Sequence, residues 1–477
     1  MRAVRVLAIL IPLCAALCAA LHAETFAEAL KRRRLEYPEL TQIVELAQSA
    51  PAEFAAQALL RVAKSANLRD KAWKRELLDQ AFQTAGAARN PVKRRVRPGG
   101  LPYGSREQMI GDAGNLGLDR LTLQTDAVKA MLTVNPRQAR ELFLAIPQPV
   151  PTRLRCEDAL VEDPSVYFAA ATAIAATAFT AEERKQDEMA LFLNERVQRI
   201  ASPVELAPAM RMIAVSSNRI TAAQYKLLTS SLAAAFQRVE GDDRSFFSSL
   251  PAIARETGSL TGSELAEAYK QFLIKNLTGP RCADNDYSQI SADLASLKLE
   301  DLKPSKLEAK ALLASPDRKA EEDRLRAKLM ALEFGVETRA ALTDEQKNTS
   351  EWRELFSGLL HDIEAIKPTS GESEAVFFLR KGAALHALLL VTPQGEPRDR
   401  ILQEYIAFLK ASNLQQESPM EWFSMVDSLA GETRSMNARE YKKMLDAFEA
   451  SGHTVLSLYA QIEKLLPTPP SWAQTAQ

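Results

Sequence analysis

Two cysteines occupy matching settings in this chain, Arg155-Cys156-Glu157-Asp158 and Arg281-Cys282-Ala283-Asp284. Each follows a helix-like stretch and a proline-containing turn. Thiols in loops can join as a disulfide, bind a metal or act as redox nucleophiles, and their spacing separates these outcomes. No Cys-x-x-Cys pair is present to lower a thiol pKa, which disfavours redox catalysis. The expectation is a structural bridge between Cys156 and Cys282. Such a bridge would gather Glu157, Asp158, Asp284 and Asp286, oxygen donors of the kind that coordinate Ca²⁺. Arg155 and Arg281 lie beside the same carboxylates, so ion pairing competes with a metal and is the favoured arrangement. No cofactor is expected.

A second cluster is basic. Residues 89–106 carry Arg89, Lys93, Arg94, Arg95, Arg97 and Arg106 and not one acidic side chain. This is a candidate anion-binding loop, suited to an anionic envelope polymer, a lipid head group or an acidic partner. The competing reading is a solvated connection between helices. Pro98-Gly99-Gly100 lacks the Gly-Lys-Ser/Thr ending of a phosphate loop.

Catalytic constellations are not legible. His361, His386 and His453 are scattered, so neither a zinc site nor a Ser-His-Asp triad can be placed. Glu372-Ser373 is the dipeptide that carries the catalytic glutamate of lytic transglycosylases, which are exported all-α superhelical proteins. Here Ala-Val-Phe-Phe lies just beyond it and no Gly-Leu-Met-Gln segment follows, so it reads as the polar start of a helix.

The elements that must position these residues are helical. Leu265, Ala268, Tyr269, Phe272 and Leu273 repeat at i, i+3, i+4, i+7 and i+8, and Tyr441, Met444, Leu445 and Phe448 follow the same rule. Thr180 with Glu183 and Thr261 with Glu264 have capping-box spacing, while Ser202-Pro203 and Ser418-Pro419 add proline at a first helical position. Asn135-Pro136 and Asp163-Pro164 read as similar openings. Alternating β-branched runs are missing. The fold class is therefore all-α, and two arrangements bury so many one-sided helices. The favoured one is an irregular helical-repeat, α-solenoid-like array of antiparallel helix pairs; the alternative is a multi-helix globule. No fixed repeat period is visible.

Residues 1–23 have the three parts of an export signal: Arg2 and Arg5, an apolar run over 6–21, and Ala23 before Glu24. Cys14 follows Leu13 and Cys18 follows Leu17, so there is no lipoprotein motif. The divisions expected are a signal peptide at 1–23 and an N-terminal helical region at 24–298 holding both cysteine loops. A C-terminal helical region at 305–466 and a flexible Pro-rich tail at 467–477 complete the chain. The formal net charge of −1 becomes −3 once Arg2 and Arg5 are removed, a balance that gives no reason to expect nucleic acid. The longest later apolar stretch, 166–179, is too short for a membrane span.

The functional expectation is an exported, periplasmic or extracellular binding or scaffolding protein engaging a protein or peptide partner. The alternative is an envelope-acting hydrolase or lyase, which would need paired carboxylates facing one cleft with their pKa values pushed apart.

Overall fold

Helices begin where local capping chemistry satisfies the free backbone N–H groups of a first turn. Thr180 and Glu183 form a capping box, as do Ser202 and Glu205 and also Thr221 and Gln224. Asn135 accepts from the Gln138 N–H at 3.2 Å with Pro136 at the first helical position. The opening at Asp163-Pro164 differs from expectation by one residue: Ser165 starts the helix, and Asp163 accepts its N–H at 3.0 Å. The computed structural model describes residues 26–89, 93–95, 106–260, 262–285, 306–307, 320, 323–325, 327–328, 349–392, 395–436 and 438–466. The expected signal peptide, the tail at 467–477, the division near 299–304, Thr261, Arg97 and Asp286 fall outside them.

In chain order the helices are α1 (Phe26–Glu36), α2 (Pro38–Ala47), α3 (Ala52–Lys64), α4 (Lys71–Ala85), α5 (Arg106–Gly114), α6 (Arg120–Leu132) and α7 (Pro136–Leu144). Next come α8 (Ser165–Thr177), α9 (Ala181–Lys185), α10 (Glu188–Gln198), α11 (Pro203–Ser216), α12 (Ala222–Arg238), α13 (Asp243–Thr257) and α14 (Ser263–Thr278). The later set is α15 (Ser350–Glu364), α16 (Glu374–Val391), α17 (Glu396–Ala411), α18 (Leu414–Glu417), α19 (Pro419–Met436), α20 (Ala438–Ala450) and α21 (Thr454–Leu465). The strands among the described residues are two or three residues long. β1 (Lys93–Arg95) pairs antiparallel with β2 (Leu160–Glu162), and β3 (Arg281–Cys282) pairs parallel with β4 (Lys306–Leu307). The protein is all-α.

Packing follows two lateral series. α4 lies against α6, α6 against α8, α8 against α11, and α11 against α13. Beside them α10 packs on α12 and α12 on α14. In the C-terminal part α16 packs on α15, α17 and α19, and α20 bridges α17, α19 and α21. Gly382 permits the close approach of α16 to α19, since a Cβ there would sit 2.5 Å from Met425 Cε.

The last helix returns to the first ones. α21 packs on α2 and α3, and α5 packs on α19 and α16. Most buried apolar side chains of the described residues consequently form one core running from Leu40 to Ile462, with Val161 and Val204 in a small second cluster. A spatial seam between α3, α19 and α21 follows from this closure.

Candidate functional site

Cys156 and Cys282 are joined as a disulfide, with Cα atoms 5.4 Å apart and both residues buried. The helix beside them supplies a third partner. Arg244, near the start of α13 and 0% exposed, sends its guanidinium between the two cysteine loops. Its Nε donates to Cys156 O at 3.1 Å, Nη1 to Asn285 Oδ1 at 2.6 Å and Nη2 to Asp284 Oδ2 at 2.8 Å; Nη2 also donates to Cys156 O. The neighbouring Asp243 accepts from the Cys282 N–H and from Asn285 Nδ2, both at 2.7 Å. One helix start therefore clamps both loops, and Arg244 pairs with Asp284 at 2.7 Å.

On the other loop Arg155 pairs with Glu157 at 3.1 Å and donates its N–H to Asp158 at 2.7 Å. Glu157, Asp158 and Asp284 thus carry guanidinium or backbone partners. Among the described residues no group of three or more His, Cys, Asp or Glu side chains is arranged to hold a metal ion.

The basic segment is not a plain loop, because Lys93, Arg94 and Arg95 form β1 and lie opposite Glu162, Val161 and Leu160 in turn. A short ladder to the segment before α8 satisfies backbone groups that a free loop would leave to water. Arg106 opens α5. Arg89, just past α4, donates from Nη1 to the carbonyls of Gln416 and Glu417, both at 2.8 Å, and its N–H reaches Glu53 at 3.0 Å. Beside this segment lies an open groove of about 590 Å³, lined by Ala88, Leu121, Ile146, Pro147, Pro149 and Val150 and by the charged Arg89, Arg120 and Glu162. Val150 is 74% exposed although apolar.

Glu372 and Ser373 have separate structural places. Ser373 caps α16 by accepting the Val376 N–H, and Glu372 pairs with the buried Arg380 at 2.7 Å. Burial alone would raise the Glu372 pKa, but Arg380 and the Thr369 N–H outweigh it and hold the carboxyl below its ordinary range.

The seam holds a second cavity, of about 440 Å³. α3 contributes Phe54, Gln57 and Arg61, α19 contributes Phe423, Asp427 and Arg434, and α21 contributes Leu458, Tyr459 and Glu463, each set at helical spacing. Phe423 anchors the aromatic wall, with ring centroids 4.9 Å from Phe54 and 5.6 Å from Tyr459. Glu463 is buried and fully engaged: Arg61 Nη1 donates to Oε1 at 2.6 Å, while Arg434 Nη2 and the Tyr441 hydroxyl donate to Oε2 at 2.5 and 2.9 Å. Arg61 also donates to Leu466 O.

Asp427 is different. Its carboxyl opens onto the cavity, and neither a hydrogen bond nor an ion pair joins it to another described residue. The residue keeps contact with solvent, yet the protein packed around its carboxyl raises its pKa by desolvation; Arg434 offsets part of this and Glu463 adds to it. Neither Asp427 nor Glu463 is distinguishable in the sequence from any other charge on a helix face. Comparison with protein-family models, curated proteins and solved structures gives no match.

Proposed function

We propose that this chain is an exported helical-repeat binding or scaffolding module that engages a protein or peptide segment combining apolar and acidic side chains. The observation that carries the reading is the groove beside the basic segment. Its lining is largely apolar, through Leu121, Ile146, Pro147, Pro149 and Val150, and its charged members are Arg89, Arg120 and Glu162, two cations to one anion. An apolar lining with an excess of guanidinium charge suits an acidic segment with apolar anchors, because burial supplies affinity and charge supplies orientation. The lateral stacking of helices from α4 to α14 supports a solenoid-like array, an architecture that commonly presents extended binding surfaces. Export is supported by the signal pattern of residues 1–23 and by the Cys156–Cys282 bridge. No helix among the described residues is long and apolar enough to cross a membrane.

The rival reading, an envelope-acting hydrolase or lyase with paired carboxylates, has one observation in its favour: Asp427 and Glu463 line the same cavity. It is weakened by the engagement of both Glu463 oxygens with Arg61, Arg434 and Tyr441, which leaves that carboxylate no free edge for substrate or water.

A random peptide library selected against the folded protein tests the binding reading. Recovered sequences are expected to alternate acidic and large apolar residues and to be lost on Val150→Asp. Recovery of basic sequences, or of sequences indifferent to Val150→Asp, contradicts it.

A further inference from the structure

We propose that the seam cavity is a recognition site for an organic cation, a primary ammonium on an apolar or aromatic stem, held by Asp427 against the wall of Phe54, Phe423 and Tyr459. Most charges lining the cavity are already answered. Both oxygens of Glu463 are occupied, and the guanidinium groups that occupy them, Arg61 and Arg434, are thereby committed to Glu463, Tyr441 and the Leu466 carbonyl. Asp427 faces the same space without a hydrogen-bonding or ion-pairing partner among the described residues.

Asp427 is exposed, and it is the carboxylate of this lining to which no cation is bonded among the described residues, whereas Glu463 holds two guanidinium groups. A cation entering the cavity supplies what Asp427 lacks. The rest of the lining agrees with that chemistry. Phe54, Phe423 and Tyr459 form one contiguous aromatic cluster, and ring faces attract an ammonium while accepting its hydrocarbon stem. Leu116, Val455, Leu458 and Ile462 extend the apolar wall. Gln57 and Asn115 line the same cavity and carry amide oxygens suited to the ammonium protons that Asp427 does not take. The volume, about 440 Å³, accommodates a side chain or a small amine.

Two sources supply this chemistry, a free aromatic or aliphatic amine and a lysine side chain of a partner. The site rests on α3, α19 and α21 and not on the groove beside β1, so it stands or falls independently of the function proposed above.

Isothermal titration of the full-length protein with benzylamine, benzyl alcohol and benzoate reads the site directly. Benzylamine is expected to bind at least about tenfold more tightly than the isosteric alcohol, the size of one charge-assisted hydrogen bond. Asp427→Asn, close to isosteric, is expected to remove that preference while leaving alcohol binding and the circular dichroism spectrum unchanged. Titration with Nα-acetyl-lysine methylamide, against its Nε-acetylated form, separates the sources. Tighter binding of the lysine compound than of benzylamine assigns the site to a partner's side chain, and the reverse assigns it to a free amine. Equal binding of amine and alcohol to the wild-type protein, preference for benzoate, or no binding of any amine overturns the proposal whether or not the variant folds.

Discussion

Replacing Arg244 with methionine removes the group that ties the two cysteine loops to α13. The side chain is fully buried, and its guanidinium serves the Cys156 carbonyl, the Asn285 amide oxygen and the Asp284 carboxylate. Breaking a buried ion pair by deleting one partner costs about 3–5 kcal/mol. Asp284 keeps 26% of its side chain exposed and can regain water, which places its share at the low end. The Cys156 carbonyl and Asn285 lose donors in the interior, at about 1–3 kcal/mol for each group left unsatisfied. The expected loss for Arg244→Met is therefore at least about 3 kcal/mol. Urea unfolding followed by circular dichroism, with the disulfide intact in both proteins, measures it. Arg244→Lys is expected to fall between the two, since one ammonium cannot meet three acceptors set around a planar fork. A loss under about 1 kcal/mol, the size of an ordinary surface substitution, refutes the clamp.

Two further outcomes follow from the same structure. Reduction of Cys156–Cys282, which are separated by 126 residues, is expected to lower stability by at most about 5 kcal/mol in the chain-entropy model; the urea midpoint should shift with reductant in the wild type and stay fixed in the Cys156→Ser, Cys282→Ser protein. Glu183 has its pKa lowered to about 2, first by the Thr180 N–H and then by Arg140, so its stabilisation is present above the ordinary glutamate range and is lost as pH falls towards that value. Glu183→Gln is expected to cost about 1 kcal/mol near neutral pH and almost nothing near pH 2, as read from urea midpoints across that range.

What the sequence revealed about this fold is what short-range chemistry controls. Thr180 with Glu183 and Ser202 with Glu205 are legible as helix starts because both partners lie within one turn. The cysteine pairing was legible for a related reason: two thiols in matching loops leave few alternatives. Arg244 was not, since Asp-Arg-Ser at a helix start looks like any solvated first turn until the fold lays it against loops 88 and 40 residues away. The seam cavity is further from local reach, because Arg61 and Glu463 meet across 402 residues. The basic run illustrates the intermediate case. Its charge was evident, but its conversion into β1 depends on a strand partner at Leu160–Glu162 whose own sequence carries no strand signal.

The central claim, that the groove beside the basic segment takes an acidic and apolar segment, is tested most directly by affinity. Fluorescence anisotropy of one selected peptide should show binding that weakens as salt rises and falls at least about tenfold on Arg120→Glu, as expected when charge in an interface orients the partner. Affinity unchanged by salt and by Arg120→Glu would contradict it.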